Sequence, residues 1–320
     1  MKHTLVMLGQ SLGKRKTDKQ KLLFINTIAK PLLDKGIAVQ IHRNPNKRVK
    51  SNNVHIGDMD ACKTVMLCPY DTGRALLIEN GRYYPCDNHA NSQIQKHNLI
   101  LETILGIIAA AVIYLTAGLL KADMTLRIIG ILIDFAMFVL LLYLFTGPTP
   151  STNMNRNSGA LALTVQLSST KWKKTAFILT DQSIDSKLGY VQVSQWYKDE
   201  ADSRTFIMLD GLAHGDTYYV IGREGDSEVK FLADAIGASP LYLNKEQIKN
   251  SPLALFKHAL LICAGTLTDD HCVMVSPSLD HRDYEVDTER LEKLKNDMAE
   301  YIDHREAFLR PYEKSAATPE

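Results

Sequence analysis

Two long apolar runs lie in the interior of this chain, and they constrain its fold more than any other feature. Residues 99–120, LILETILGIIAAAVIYLTAGLL, carry one charge, Glu102, and residues 128–146, IIGILIDFAMFVLLLYLFT, carry one, Asp134. The first run forms a helix roughly 33 Å long at about 1.5 Å per residue, enough for a hydrocarbon core of about 30 Å. With the short link 121–127 between them, the runs predict a transmembrane hairpin. The charged pair is expensive inside a bilayer and is expected to face protein. Glu102 and Asp134 are therefore the candidate contacts for a partner helix of another integral membrane protein, a transporter among the options.

The average composition hides this pattern. The 320 residues are 45% hydrophobic and 23% charged, with a formal net charge of +1. No basic stripe with interleaved aromatics is present, so nucleic acid is not an expected partner. The five cysteines, Cys62, Cys68, Cys86, Cys263 and Cys272, form no CxxC pair. They fit reduced core residues better than a disulfide framework or a thiolate zinc site.

Lys121 and Arg127 in the link argue for a cytoplasmic link. The basic residues of 1–98 and the lack of an export signal there argue the other way and weigh more. The expectation is a plasma-membrane protein with its soluble parts in the cytoplasm and membrane lipid around the hairpin.

Outside the hairpin the period changes. Residues 18–35 alternate at helical spacing and 36–43 as a strand, followed by a polar loop at 44–53. KTVMLC (63–68), TAFILT (175–180), RTFIMLD (204–210) and HCVMVS (271–276) are short apolar runs of the kind buried in a sheet centre, and TYYVIG (217–222) alternates. Residues 158–169 and 287–309 predict helices, the second capped by Asp287 or Thr288. The N-terminal residues predict a short strand or the lead-in to a helix. Strands alternating with helices predict an α/β fold, a mostly parallel sheet sandwiched by helices. Residues 1–98 hold too few strands to close a core alone. So 1–98 and 148–312 are two parts of one domain interrupted by the hairpin at 99–147, and 313–320 form a disordered tail.

Several strand ends carry motifs in a telling order: Pro69-Tyr70-Asp71-Thr72, then Asn155-Arg156-Asn157-Ser158-Gly159, Asp181-Gln182-Ser183-Ile184, Leu209-Asp210-Gly211, and His281 before Asp287-Thr288. This order resembles the co-catalytic dizinc aminopeptidases, a family of zinc-dependent exopeptidases, over nearly all of the chain outside the hairpin. The resemblance implies that family's fold and a site at the C-terminal edge of the sheet. It also locates losses. The first ligand His becomes Pro69, which has no donor atom, and the bridging Asp becomes Asn155. The general-base Glu becomes Ser183 and the next ligand Glu becomes Ile184. Asp210 keeps its carboxylate, and Asp71 keeps the group that orients the lost His. The last ligand falls on His281, or on Asp283 in strict register.

Two metals about 3.5–4 Å apart need a bridging anion, flanking donors and a separate base. The implied protein is thus a pseudopeptidase that binds or scaffolds and needs no cofactor. Its candidate ligands are a membrane-protein partner and a peptide. The alternative is a membrane-bound zinc metallopeptidase with a site rebuilt from Asp71, Asp210, His281 and Asp185 or His271. A glutaminyl-cyclase-like transferase on the same fold suffers the same losses.

Overall fold

The computed structural model describes residues 1–316 except 45–49, 78–80, 122, 148, 151, 201–202 and 279–281. The chain opens with a helix, α1 (Lys2–Val6), that continues as a wider turn to Ser11, the helical outcome of the two expected there. Helix α2 (Asp18–Asp34) follows, closed by a capping box of Thr17 with Gln20. Strands β1 (Val39–Arg43), β2 (Asn52–Ile56) and β3 (Thr64–Pro69) come next. The polar loop expected to reach residue 53 ends two residues earlier, at 51, because Asn52 and Asn53 pair with Arg43 and His42 in the ladder.

After the hairpin come α5 (Gly159–Ser168), β4 (Thr175–Thr180), α6 (Leu188–Trp196), β5 (Thr205–Leu209) and β6 (Thr217–Arg223). Helix α7 (Ser227–Ile236), β7 (Ser239–Leu243), α8 (Lys245–Lys249), β8 (Ala259–Leu267), β9 (Val273–Met274) and α9 (Thr288–Ala316) complete the chain. Asp287 is the cap of α9, its carboxylate accepting from the Arg290 amide at 3.0 Å. Helix α9 runs into the segment expected to be a disordered tail, and 317–320 lie outside the described residues.

The strands form one mixed sheet in the order β1-β2-β4-β3-β5-β8-β6-β7, with β9 on β8. Its centre, β4-β3-β5-β8, is parallel, and antiparallel pairs join the outer strands. The sheet is mixed, since β2 runs against β1 and β4, and β6 and β9 run against β8, while β6 and β7 are parallel. The fourth central strand is not 271–276, where Val273 and Met274 pair with β8 at its end and Val275 bridges Tyr83. It is the continuous apolar run Ala259–Leu267, buried from Ala259 to Gly265.

Alternation along the central strands sends side chains to two cores. Met66 and Cys68 of β3 face α2, α5, α7 and α9, whereas Val65 and Leu67 face α6, α8 and the turn at Pro252–Leu255. Burial on both faces is why these strands are continuously apolar. The chain leaves β3, enters β4 on one side and then β5 on the other, so β3 marks the topological switch point where open α/β sheets place their sites.

Between β3 and α5 stand α3 (Asn88–Thr116), a tight turn at Ala117–Lys121, and α4 (Met124–Thr146). Both helices are long and apolar enough to cross a membrane, and almost none of their apolar windows is buried. Ile107, Tyr114, Leu115, Phe135 and Phe145 project outward, unlike the side chains of a soluble core helix. Helix α3 starts eleven residues before the apolar run, so its polar first half packs on the soluble body. The hairpin base is tied there by side chains. Arg74 donates to Glu102 and to the Leu144 carbonyl, each at 3.0 Å, and Lys16 donates to the carbonyls of Thr146 and Gly147. Cations on the last carbonyls of α4 also suit the negative end of the helix dipole.

Candidate functional site: a buried guanidinium–carboxylate centre

The strand ends at the switch point gather the residues singled out from the sequence. Pro69 closes β3, and the Tyr70, Asp71 and Thr72 that follow are buried. Arg15, fully buried, locks this turn. It donates to the carbonyls of Tyr70, Leu8 and Leu12, reaches Ser158 Oγ at 3.2 Å, and its amide donates to Thr72 Oγ1 at 2.9 Å.

Asp71 contacts the neighbouring strand end. Its carboxylate accepts from the amides of Ser183 at 3.0 Å and Ile184 at 3.4 Å. The residue that orients a ligand in the resembled family here orients the β4 loop. Burial pushes the Asp71 carboxyl up to about 7, with the nearby Asp181 adding to the rise. Asp181 itself is paired with buried Lys21 at 2.6 Å. Ser183, which the resemblance in sequence aligns with a general base, turns its hydroxyl to the Asp181 carbonyl at 3.3 Å.

The loop before α5 supplies the centre. Asn155 spends both ends of its amide on backbone. Its Oδ1 accepts from the His214 amide at 2.9 Å, and its Nδ2 donates to the Pro277 carbonyl at 3.1 Å. A carboxylate cannot make the second bond. Asp283, fully buried, anchors the same loop. Its Oδ1 accepts from the Asn155 amide at 2.6 Å and the Arg156 amide at 3.3 Å, and its carbonyl accepts from Met154. Asp283 therefore reaches the site as a backbone anchor. Gly159 lets α5 close on the loop after β5, since a Cβ there would stand 2.5 Å from that of Ala213.

Arg156, to which the sequence motif assigns no role, dominates the geometry. Its side chain is 2% exposed, its NH1 donates to Asp210 Oδ1, and its guanidinium carbon lies 3.5 Å from the centre of the Tyr83 ring. Tyr83 donates its hydroxyl to the other Asp210 oxygen at 2.8 Å. Burial pulls the guanidinium down, but the attractions of Asp210, Tyr83, Tyr190 and Asp185 together outweigh it and leave Arg156 above its ordinary value. The sequence signal for this role is a cation next to Asn155, the amide that the resemblance aligns with a bridging carboxylate.

The other assigned residues divide. Ile184 is buried beside the pair and bounds the cavity next to it. His271 sits in the β8–β9 turn with a left-handed φ of 54°, away from this cluster. His281 lies outside the described residues. Among the described residues no group of three His, Cys, Asp or Glu could hold a metal. The donor set present does not fit a dinuclear centre. Asp210 is occupied by a guanidinium and a phenol, and Asn155 needs its amide hydrogens. Glu102 and Asp134, expected to meet a partner helix, have partners within the chain. Glu102 bonds Arg74 and Asn98, the latter at 2.8 Å, and Asp134 accepts from Thr116 of α3.

Beside the Arg156–Asp210 pair opens a cavity of about 520 Å³, bounded by the loop 184–187, by Arg82 and Tyr83, and by the first half of α3. Lys187, which lines it, has its ammonium buried without a hydrogen-bond partner, and burial lowers its pKa to about 8.

No protein-family model matches the sequence, and no curated protein matches it either. Solved structures do resemble the fold. A glutaminyl cyclase from Porphyromonas gingivalis superposes with a TM-score of 0.51 at 11% identity, covering 95% of each chain. A leucine aminopeptidase precursor from Bacteroides thetaiotaomicron gives 0.52 at 12% identity, over 94% of this chain and 93% of that one. LapA of Legionella gives 0.52 at 11%, over 93% and 69%. The chain thus has a zinc-exopeptidase-like fold, a mixed sheet flanked by helices. The similarity is one of architecture; at this identity it carries no activity with it.

Proposed function

We propose that this protein is a membrane-anchored, catalytically degenerate relative of the aminopeptidases that binds or scaffolds rather than hydrolyses. The observation behind this reading is the Arg156–Asp210 pair. A monovalent organic cation neutralises the carboxylate that the resemblance would give to a metal, and a hydrogen-bonded amide stands where a bridging anion would be needed. Hydrolysis by the family route would require a water activated between two metals and a carboxylate base, and Ser183 offers no base. Asp71, the nearby acid with a raised pKa, is held on the backbone amides of 183 and 184, so its lone pairs serve the loop.

The hairpin places the body at a membrane in this reading, with lipid against its exposed apolar side chains. The free cysteines suit the cytoplasmic face of the plasma membrane. An integral membrane protein, a transporter among the candidates, is the proposed partner, and a peptide is a further candidate ligand. Elemental analysis of the full chain purified in mild detergent, with panels of aminopeptide and N-terminal glutaminyl substrates, tests the proposal. The expected result is substoichiometric zinc and no chelator-sensitive turnover. One or two zinc ions per chain with chelator-sensitive turnover would establish the rebuilt metallopeptidase instead. Co-purification from native membranes in the same detergent tests for the partner, and a monomer without one counts against scaffolding.

A further inference from the structure

The cavity beside the Arg156–Asp210 pair has an uneven charge lining: Arg74, Arg82, Arg156 and Lys187 against Glu102 and Asp185. Two of the cations are spent, Arg156 on Asp210 and Arg74 on Glu102. Arg82 makes no ion pair among the described residues, and the Lys187 ammonium is buried with no acceptor. A buried, unpartnered ammonium is costly. Lys187 is also held in a left-handed backbone conformation, φ 57°, at the residue before α6, a cost that a side chain other than glycine seldom bears. Among the described residues no hydrogen bond repays the first cost, which the Asp210 carboxylate offsets only in part, and an anion in the cavity would repay it.

The wall formed by α3 narrows the choice of anion. Along α3 the lining alternates polar and apolar side chains, Asn91, Ile94 and Asn98, up to Leu99 where the apolar run begins. Leu99 is 57% exposed, and the apolar side chains beyond it continue outward along the same helix. A molecule with an anionic head and an apolar tail would match that gradient. The volume is within the range of about 300–1,000 Å³ typical of small-molecule sites and exceeds what a bare phosphate needs.

We propose that this cavity binds a phosphate group, that of an anionic phospholipid headgroup, with Lys187 and Arg82 as its cationic contacts and α3 as the track for the acyl chains. The lipid source rests on the membrane reading above; the anion site does not. The test is calorimetric titration of the full chain in mild detergent with dihexanoyl phosphatidylglycerol below its micelle concentration. Dihexanoyl phosphatidylcholine and inorganic phosphate are run as separate arms. Saturable one-to-one binding of the glycerol lipid, about tenfold or more tighter than the choline lipid, is expected. Lys187→Gln should weaken it about tenfold or more, the worth of one charge-assisted hydrogen bond. Arg82→Gln should weaken it less, and Lys187→Arg should retain it, which separates loss of the cation from loss of fold.

Inorganic phosphate binding as tightly as the lipid would keep the anion site and overturn the lipid assignment. No binding in any arm, or binding that survives Lys187→Gln and Arg82→Gln together, would overturn the proposal. Alkaline carbonate extraction of native membranes is scored independently. Release of the chain into the supernatant would sink the anchor reading while leaving the phosphate titration to decide the site.

Discussion

The acids of the soluble body and the acids of the hairpin are neutralised in opposite styles. Asp210, at the end of β5, meets a whole guanidinium and a phenol, and all three groups are buried. Asp71, one strand away, meets two backbone amides and has its carboxyl raised to about 7. At the hairpin base Glu102 meets Arg74, which is 39% exposed. Further along, Asp134 accepts from the Thr116 hydroxyl. The cationic partner thins out from the sheet edge toward the middle of the hairpin. Strong compensation is found where the fold cannot flex, since breaking a buried pair strands a charge at a cost of about 3–5 kcal/mol. A hydroxyl suffices where the carboxylate can turn toward a neighbouring helix.

The largest expected effect comes from breaking the body's pair. Arg156→Ala should destabilise the chain by about 3–5 kcal/mol in detergent-phase chemical unfolding, because Asp210 is left charged against Tyr83 alone. Arg156→Met with Asp210→Leu should recover most of that loss, since a buried ion pair is often replaceable by apolar side chains of similar volume. A single substitution costing under about 1 kcal/mol would show that the pair does not organise the centre.

Asp71 should show its environment through pH. Its folded-state pKa, about 7, lies above the ordinary carboxylate value of 3.8. The folded chain therefore binds the proton more tightly than the unfolded chain, and the stability this contributes is present below about 4 and lost as pH rises toward 7. His55 has the opposite sign, because burial lowers its pKa from 6.5 to about 3 and its contribution is lost as pH falls through that range. Asp71→Asn should cancel the first trend and leave the second. The difference between wild-type and variant urea midpoints, followed from pH 4.5 to 8, isolates it. A difference that stays flat across this range would mean that Asp71 is ionised throughout.

Most of the sheet could be read from the sequence because β3, β4 and β5 are buried on both faces and show unbroken apolar runs. The switch point and its strand-end motifs followed from their order. Ala259–Leu267 escaped notice although its run is as apolar, since its neighbours in sequence carry none of the strand-end motifs that marked β3 to β5. The departures that the resemblance implies at Pro69, Asn155, Ser183 and Ile184 are legible because each of these residues lacks the donor the motif calls for. What fills the gap was not visible. The places of Arg156, Tyr83 and Lys187 depend on the loop before α3, the turn into α6 and the anchoring by Asp283 converging in space, and no local pattern encodes that convergence. The partners of Glu102 and Asp134 were hidden for the same reason, Arg74 being distant from one and Thr116 lying on the opposite helix from the other.

The clamp at the hairpin base should be weaker than the body's pair. Arg74 is more than a third exposed, which screens its attraction to Glu102, so Arg74→Ala should cost about 1 kcal/mol in global stability. Its larger signature is local. Hydrogen exchange at residues 98–105 and 140–147 should accelerate while the central strands keep their protection, because Glu102 and the Leu144 carbonyl lose the same donor. Equal acceleration in β3 and β5 would mean that the hairpin base and the sheet open as one unit.

The smallest effect is expected furthest from the sheet. Thr116→Val removes the hydroxyl that Asp134 accepts from and keeps the side-chain shape. Interhelical hydrogen bonds of this kind average about 0.6 kcal/mol, because a loosened helix finds other partners. Unfolding of the full chain by increasing detergent denaturant should shift by that amount, and Asp134→Asn, which keeps an acceptor, should shift by less. Asp134→Leu probes the other half of the pair. If it disrupts co-purification of a membrane partner while Thr116→Val leaves both stability and partner unchanged, the acid works between proteins rather than between α3 and α4. If Asp134→Leu costs no more than Thr116→Val and co-purification persists, the carboxylate serves the hairpin alone, and any partner must be held by the exposed apolar face.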